Sequence, residues 1–459
     1  MKRIVTAVVA ALVLAVAAAA FALGRPDGDG AVRVRLEGGR QRPITLVGGS
    51  ADLGSLDEAL AREGAGDAVV QRDGWWVLNR VLVVEPGAEL VIHDQDLRLR
   101  SEGRRLAALE ARGGDVEIVD SIVTSWDASR RGPDVDVSDG RPWILARDGS
   151  RLDVVRSTLR MLGYDAHERY GVSWRTEGTT GSVESASFVG NFYGMYTFDA
   201  DPMTIVDSVV RDSVSYGLDL HTGSDGFVIE RNRFVANGKH GLVLAVECRD
   251  AMIRDNVSAR NGGHGFVVFD RSDRALLEGN EAFDNSGAGI DVSSSSGATI
   301  RDNTVHGNEL GVMLHDRASE LTVEQNRVAG NRSDGIRLAS GATGVSVRGN
   351  LVDHNYRAGV YVDEGSGSIE ADNRLVDNVV GIWVSDESGS LVVRGNTISG
   401  NIDDGVHLTE VVSGVTIEDN AIEDNRKAAF STTAPDEADA LLSVNRLAQN
   451  GTETRVRGA

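Results

Sequence analysis

The chain has 459 residues and a net charge of −22; 41% of its residues are hydrophobic, 25% charged and 5% aromatic. This balance argues against a membrane-embedded or disordered protein, and the acidic surface argues against nucleic acid as the main partner, since phosphate binding needs a basic face. One cysteine, Cys248, leaves no intrachain disulfide framework and no multi-cysteine metal site.

The N-terminus opens with basic Lys2 and Arg3, followed by an apolar run from Ile4 to Leu23 broken only by Thr6. Ala20-Phe21-Ala22 is a small-residue cleavage site, so residues 1–22 read as a secretory signal peptide and the protein as secreted, periplasmic or in the cell envelope. Left uncleaved, the same run is long enough to anchor in a bilayer. Loss of Lys2 and Arg3 takes the net charge from −22 to −24. No later segment is long and apolar enough to span a membrane, and the mature chain is expected to be monomeric. Residues 23–80 read as an N-terminal α/β cap. Within it, Ser55-Leu56-Asp57-Glu58 has the form of a capping box opening a short helix over 56–62.

Residues 81–450 are dominated by a repeat. A glycine followed by alternating apolar residues recurs at Gly171, Gly194, Gly217, Gly241, Gly265, Gly289, Gly311, Gly335, Gly359, Gly381 and Gly405, at spacings of 22 to 24 residues. Pairs of asparagines five positions apart, from Asn232/Asn237 to Asn445/Asn450, recur with the same period. Each repeat holds two or three short alternating stretches and no helical periodicity. Such a unit cannot bury its own apolar face and must stack on its neighbours. The fold class is therefore all-β, a right-handed parallel β-helix with one repeat per coil. The asparagines are expected in left-handed turns, bonding amide to amide between coils. The polar segment 125–142 is expected to loop out, and residues 451–459 to form a tail.

In each coil the glycine is followed by residues pointing in, out, in and out. Leu218 and Leu220 point inward, which turns Asp219 and His221 outward. The same outward positions carry Ser173/Arg175, Tyr196/Phe198, Val267/Phe269, Tyr361 and Trp383, a stripe of aromatics expected to face solvent and to stack on sugar rings. Tyr216 and His240 directly precede adjacent glycines. Tyr216, Asp219, His221, Lys239 and His240 thus converge within about two coils, roughly 10 Å. Histidine and tyrosine exchange protons readily, and a carboxylate can set a histidine tautomer. No metal or cofactor is expected, because the acidic repeats contain no EF-hand loop and no calcium-binding β-roll repeat.

These residues resemble the mannuronan C5-epimerases of the periplasmic alginate-epimerase type. Tyr216-Gly217-Leu218-Asp219-Leu220-His221-Thr222 is similar to the family hallmark Tyr-Gly-hydrophobic-Asp-Pro-His-Asp. Tyr193-Gly194-Met195-Tyr196 one coil earlier and Lys239-His240-Gly241-Leu242 one coil later also match in order, as do Ser125-Trp126-Asp127, Asp139-Gly140-Arg141-Pro142 and Tyr170-Gly171-Val172-Ser173. The likeness runs from about residue 55 to 270. It implies an anionic polysaccharide substrate whose uronate residues are inverted at C5. By this resemblance His221 is the base, Tyr216 the proton donor on the opposite face and Asp219 the residue that orients His221. Lys239 and His240 would hold the substrate carboxylate, with Tyr196, Phe198 and Phe269 lining the sugar path. Leu220 and Thr222 depart from the hallmark. The family arginine that neutralises the carboxylate falls on Val246, leaving Arg175 or Arg249 to take its place. The residues alone also admit a polyuronate lyase, or a non-catalytic glycan-binding β-helix of the cell envelope.

Overall fold

The computed structural model describes residues 31–36, 42–103, 105–385, 388–409, 414–433, 442 and 444–456; the expected signal peptide lies outside them. The chain winds into a parallel β-solenoid of about 15 turns. Each turn places one short strand on each of three parallel faces. Leu218–His221, Val228–Glu230 and Arg233–Val235 are the three strands of one coil, and each pairs in register with the strands of the coils before and after it. The strands are short because a turn must intervene every few residues, and alternation assigns one set of side chains to the interior. Met195, Leu218, Leu242 and Phe266 stack as one interior column, all fully buried. Burying a large aliphatic or aromatic side chain contributes roughly 1.5–3 kcal/mol, and every coil repeats that contribution.

The N-terminal end differs from expectation in two respects. The helix spans Leu53–Arg62, and its box uses Asp52 and Ser55: the Asp52 carboxylate accepts from the Ser55 N–H at 2.7 Å, and Ser55 Oγ accepts from the Asp52 N–H at 3.0 Å. The earlier aspartate wins because its short side chain reaches the third amide, which leaves Ser55 inside the first turn. Parallel stacking also begins well before residue 81, since Ile44–Ala51 already pairs with Val81–Val84 and Ala88–His93. The helix buries Leu53, Leu56, Ala59 and Leu60 over this first coil and covers its open end. At the other end Thr454–Val456 still pairs with Ala428–Thr432, so coiling continues past residue 450. The segment 125–142 does not simply project. Arg141 is buried, and its guanidinium donates to the carbonyls of Gly163, Gly190 and Leu162.

Two internal amide ladders run through the turns. In one, Asn237, Asn261, Asn285, Asn308 and Asn331 follow one another; in the other, Asn232, Asn256, Asn280, Asn303 and Asn326 do. Each Oδ1 accepts both the backbone N–H and the side-chain amide of the preceding asparagine. The left-handed residue of each turn is not the asparagine but the one before it, as at Arg231, Ala236, Asp255, Arg260 and Asp284. The asparagine is selected for its amide, which spans the gap between coils, and not for its backbone.

Replacement of one rung by alanine, as at Asn285, strands a buried backbone donor and takes one hydrogen bond from each neighbouring amide. Asn285→Ala is expected to lower unfolding free energy by on the order of 3 kcal/mol, measured as a shift of the urea midpoint at unchanged slope.

Candidate active site

The first parallel face carries the site. Its geometry follows from the repeated glycine. A Cβ on Gly217 would lie 2.4 Å from the Gly241 carbonyl oxygen and 2.8 Å from Asn237 Nδ2, so no side chain fits where the strand passes over the amide ladder. The residue before the glycine therefore stands at the edge of the face. On five successive coils that residue is a ring: Tyr170, Tyr193, Tyr216, His240 and His264. Neighbouring centroids lie 4.9, 5.1, 5.4 and 4.9 Å apart. These rings form one bank of a groove. Its floor is the in-register column Ser173, Tyr196, Asp219, Val243 and Val267, and Arg175, Phe198 and His221 form the other side.

The outward stripe is consequently not a solvent-facing surface. Tyr196 is 5% exposed, Asp219 4% and Arg175 5%, and Tyr361 is likewise buried; of the three aromatics expected along the sugar path Phe198 is half-buried and Phe269, at 44%, is open to water. The bank supplies the cover: the Tyr196 ring lies 5.1 Å from Tyr170, 5.8 Å from Tyr193 and 5.9 Å from His221. One coil further, Val243, Ala245 and Val267 form an apolar patch against which Tyr216 and Val246 pack.

Within this groove three buried polar atoms have no hydrogen-bond partner in the protein: Ser173 Oγ, Arg175 Nη1 and Asp219 Oδ1. Burial raises the Asp219 carboxyl to about 7. The Arg175 guanidinium lies 5.0 Å from both the Tyr196 and Phe198 ring centroids. It is close enough to His221 that its charge, after burial, lowers the affinity of that imidazole for a proton. His221 Nδ1 is 2.7 Å from Thr222 Oγ1, which leaves Nε2 free. The expected orientation of His221 by Asp219 is therefore replaced by Thr222, the residue that departs from the hallmark; Asp219 makes no hydrogen bond to the imidazole.

Tyr216, Lys239 and His240 do come together, with Lys239 Nζ 5.1 Å from the Tyr216 centroid. His240 Nδ1 accepts the His264 N–H at 2.8 Å, so the proton of the neutral ring sits on Nε2. Burial, then the adjacent His264, hold His240 down to about 4. At neutral pH it is an uncharged hydrogen-bond donor and not a cation. Arg249 is not part of the groove. It lies at the turn beyond the strand, paired with Glu247 at 3.4 Å and Asp225 at 4.0 Å. Sequence reasoning assigned no role to Tyr170, Tyr193, Ser173 or His264. The position before each glycine, which singled out Tyr216 and His240, would have found three of these four.

Residues 144–299 and 249–392 match the family described as right handed beta helix region, more than half of the chain, and the chain belongs to that family. Over 236 residues it is 29% identical to the mannuronan C5-epimerase of Pseudomonas aeruginosa, covering 48% of this chain and 42% of that protein. Over 234 residues it is 27% identical to the mannuronan C5-epimerase AlgG of Azotobacter vinelandii, covering 48% and 44%. The chain thus spans less than half the length of these curated relatives. A crystal structure of the periplasmic alginate epimerase AlgG superposes with a TM-score of 0.58 at 19% identity, over 89% of this chain and 85% of the other, a likeness of fold.

Asp219 makes stability depend on pH with a definite sign. Its proton is held more tightly folded, at about 7, than at the ordinary value of 3.8, so folding is favoured at low pH and that contribution fades as pH rises from about 4 through 7. Asp219→Asn is expected to flatten this decline and to exceed the wild type in stability at pH 8 by on the order of 3 kcal/mol. Urea unfolding of both forms at pH 5 and pH 8 measures it; equal pH dependence of the two would refute the assignment.

Proposed function

We propose that the protein is a polysaccharide-modifying enzyme that inverts uronate residues at C5, converting β-D-mannuronate to α-L-guluronate in an alginate-like polymer. The observation that carries this reading is the set of unpartnered buried atoms, Ser173 Oγ, Arg175 Nη1 and Asp219 Oδ1, gathered beside a histidine with a free Nε2. Most buried polar atoms are paired, and three unpaired ones gathered on one face beside a histidine can be completed together by a polar ligand. The similarity to mannuronan C5-epimerases supports the same reading. The apolar N-terminus, the cleavage site and the periplasmic source of the structurally similar AlgG support export to the periplasm.

The chemistry requires loss of the proton on C5, next to the C6 carboxylate, and its return to the opposite face. Negative charge grows on that carboxylate as the C5–H bond breaks, and Arg175 is the cation that offsets it, taking the place of the family arginine at Val246. His221 Nε2 accepts the C5 proton. Tyr216 donates from the other bank of the groove, and each group recovers its starting state by exchange with water. Lys239 and the Nε2–H of His240 bind the carboxylate or hydroxyls of an adjacent sugar. Asp219 holds a proton at near-neutral pH and shares it with the substrate carboxylate. A positioned acid or base contributes about 10²–10⁴-fold, and charge offset in a water-poor groove contributes much of the rest.

Incubation with polymannuronate in D₂O is expected to give deuterium at C5 and new guluronate signals by proton NMR, with no rise in ultraviolet absorbance. A rise would mark β-elimination instead, and neither change on a panel of polyuronates would leave a glycan-binding protein. His221→Ala is expected to lower turnover by at least about 10²-fold with the fold intact. Arg175→Met is expected to lower it comparably, with partial rescue by Arg175→Lys. Since His221 binds its proton less tightly than an ordinary histidine, the acid limb of kcat/KM should fall below pH 6.5, where the neutral base is lost.

A further inference from the structure

The face that carries the candidate active site continues unbroken toward the C-terminus, in register from Asp219 through Val243, Val267, Asp291, Met313 and Arg337 to Tyr361 and Trp383. Six strand spacings separate Asp219 from Tyr361, roughly 29 Å. At this distance the polar and apolar floor gives way to a second cluster of aromatic rings and guanidinium groups. The Arg357 guanidinium carbon lies 4.3 Å from the Tyr361 ring centroid and 4.6 Å from that of Trp383, and Arg337 lies 4.9 Å from Tyr361. Trp383 packs edge-on to Tyr361 at 5.5 Å and donates its indole N–H to Thr409 Oγ1 at 3.0 Å, which fixes the ring while leaving part of it accessible.

Charge in this cluster is balanced. Arg357 Nη1 meets Asp334 Oδ2 at 3.0 Å, and Arg337 lies 4.0 Å from Asp334 and 3.7 Å from Asp363. Asp334 is fully buried beneath the two guanidinium groups and anchors them. These pairs leave most guanidinium N–H donors uncommitted, and Arg337 Nε is buried without a partner. An indole fixed between Arg357, which lies over its ring, and the edge-on His407, with part of its surface open and the local charges balanced, suits a sugar ring, which offers an apolar face for packing and hydroxyl or carboxylate oxygens for the donors. It does not suit a simple anion, which would require uncompensated positive charge.

We propose that Trp383, Tyr361, Arg357 and Arg337 form a distal subsite that binds a sugar of the same polysaccharide chain several residues away from the one undergoing reaction. This rests on the proposed substrate class, because continuity of the groove is what makes one polymer the occupant of both places. The subsite gives long chains an affinity that short oligomers, filling only the region of Asp219 and His221, do not gain.

The test is isothermal titration of polymannuronate and of a mannuronate trimer into the protein, with all forms carrying His221→Ala so that the ligand is not converted. Trp383→Ala is expected to reduce the preference for polymer over trimer, the ratio of the two dissociation constants, by about tenfold. The reduction should persist at high salt, since the local charges are already paired. Trp383→Leu, which retains apolar bulk, guards against a packing defect and should show the same loss. An unchanged ratio in both variants with a native melting profile overturns the subsite. Polymer that binds with no C5 exchange by the otherwise wild-type protein overturns the reaction and leaves the subsite standing. No polymer binding to the parent overturns both.

Discussion

Register between coils is the constraint on which the molecule depends. In a solenoid of short strands each coil is held mainly by its nearest neighbours, so no distant element corrects a slip, and a shift of one residue would turn every interior side chain outward. The asparagine ladders prevent such a slip at two points in every coil from Asn232 onward. Each amide accepts two donors from the preceding coil and extends one to the next, with donor–acceptor distances that stay near 3 Å. Before Asn232 hydroxyls do the same work: Ser121 and Ser157 accept the backbone N–H groups of Gln95 and Ser121, and Ser208 passes the first ladder on to Asn232. Because the coils cannot slide, a side chain chosen at one position recurs at a fixed height above its counterpart, and columns of unlike residues become a groove of defined chemistry.

The groove gives an acidic chain a place for the polyanion proposed as its substrate. The other faces consume their arginines locally, as in Arg231 with Asp207, Arg254 with Glu230 and Glu278, and Arg348 with Glu324. Exposed pairs of this kind contribute little to stability individually, and they neutralise these arginines within the protein itself. Arg175 is treated differently. Among the described residues no carboxylate lies within ion-pair distance of it, and it is held by two aromatic rings. Net charge acts over distances that salt screens beyond about 8–10 Å. A single unpaired buried cation acts at contact, in a medium where its charge counts for more.

How much of this was legible in the sequence depended on whether one coil or several had to be considered. Gly217 and Asn237 announce the strand and the ladder because the reason for each lies in its immediate neighbours, repeated along the chain. The pairing of Tyr216 with His240 was legible for the same reason. The burial of Asp219 and Tyr196 was not. It results from rings on adjacent coils leaning over the floor, and alternation within a strand reports only which way a side chain points, not what covers it. Arg249 lies elsewhere for a related reason: nearness in sequence to Val246 put it in the right coil, but the strand Leu242–Leu244 ends before it and the chain has turned the corner. The helix cap was missed by three residues because two overlapping boxes competed and the shorter side chain prevailed.

His221 and His240 show how position along a repeat gives identical side chains different chemistry. His240 stands on the bank, where Nδ1 is committed to a backbone amide of the next coil and burial suppresses its charge. It can donate a hydrogen bond but has no lone pair to offer to a substrate. His221 stands across the floor at the end of its strand, and in the tautomer whose Nδ1–H donates to the hydroxyl of the following residue Nε2 keeps its lone pair. Burial, and after it the charge of Arg175, hold the proton affinity of His221 below that of an ordinary imidazole. The same cation that would offset charge on a substrate carboxylate thus adds to what burial does in keeping the base unprotonated, so the two requirements of proton abstraction next to a carboxylate are met at one place in the groove.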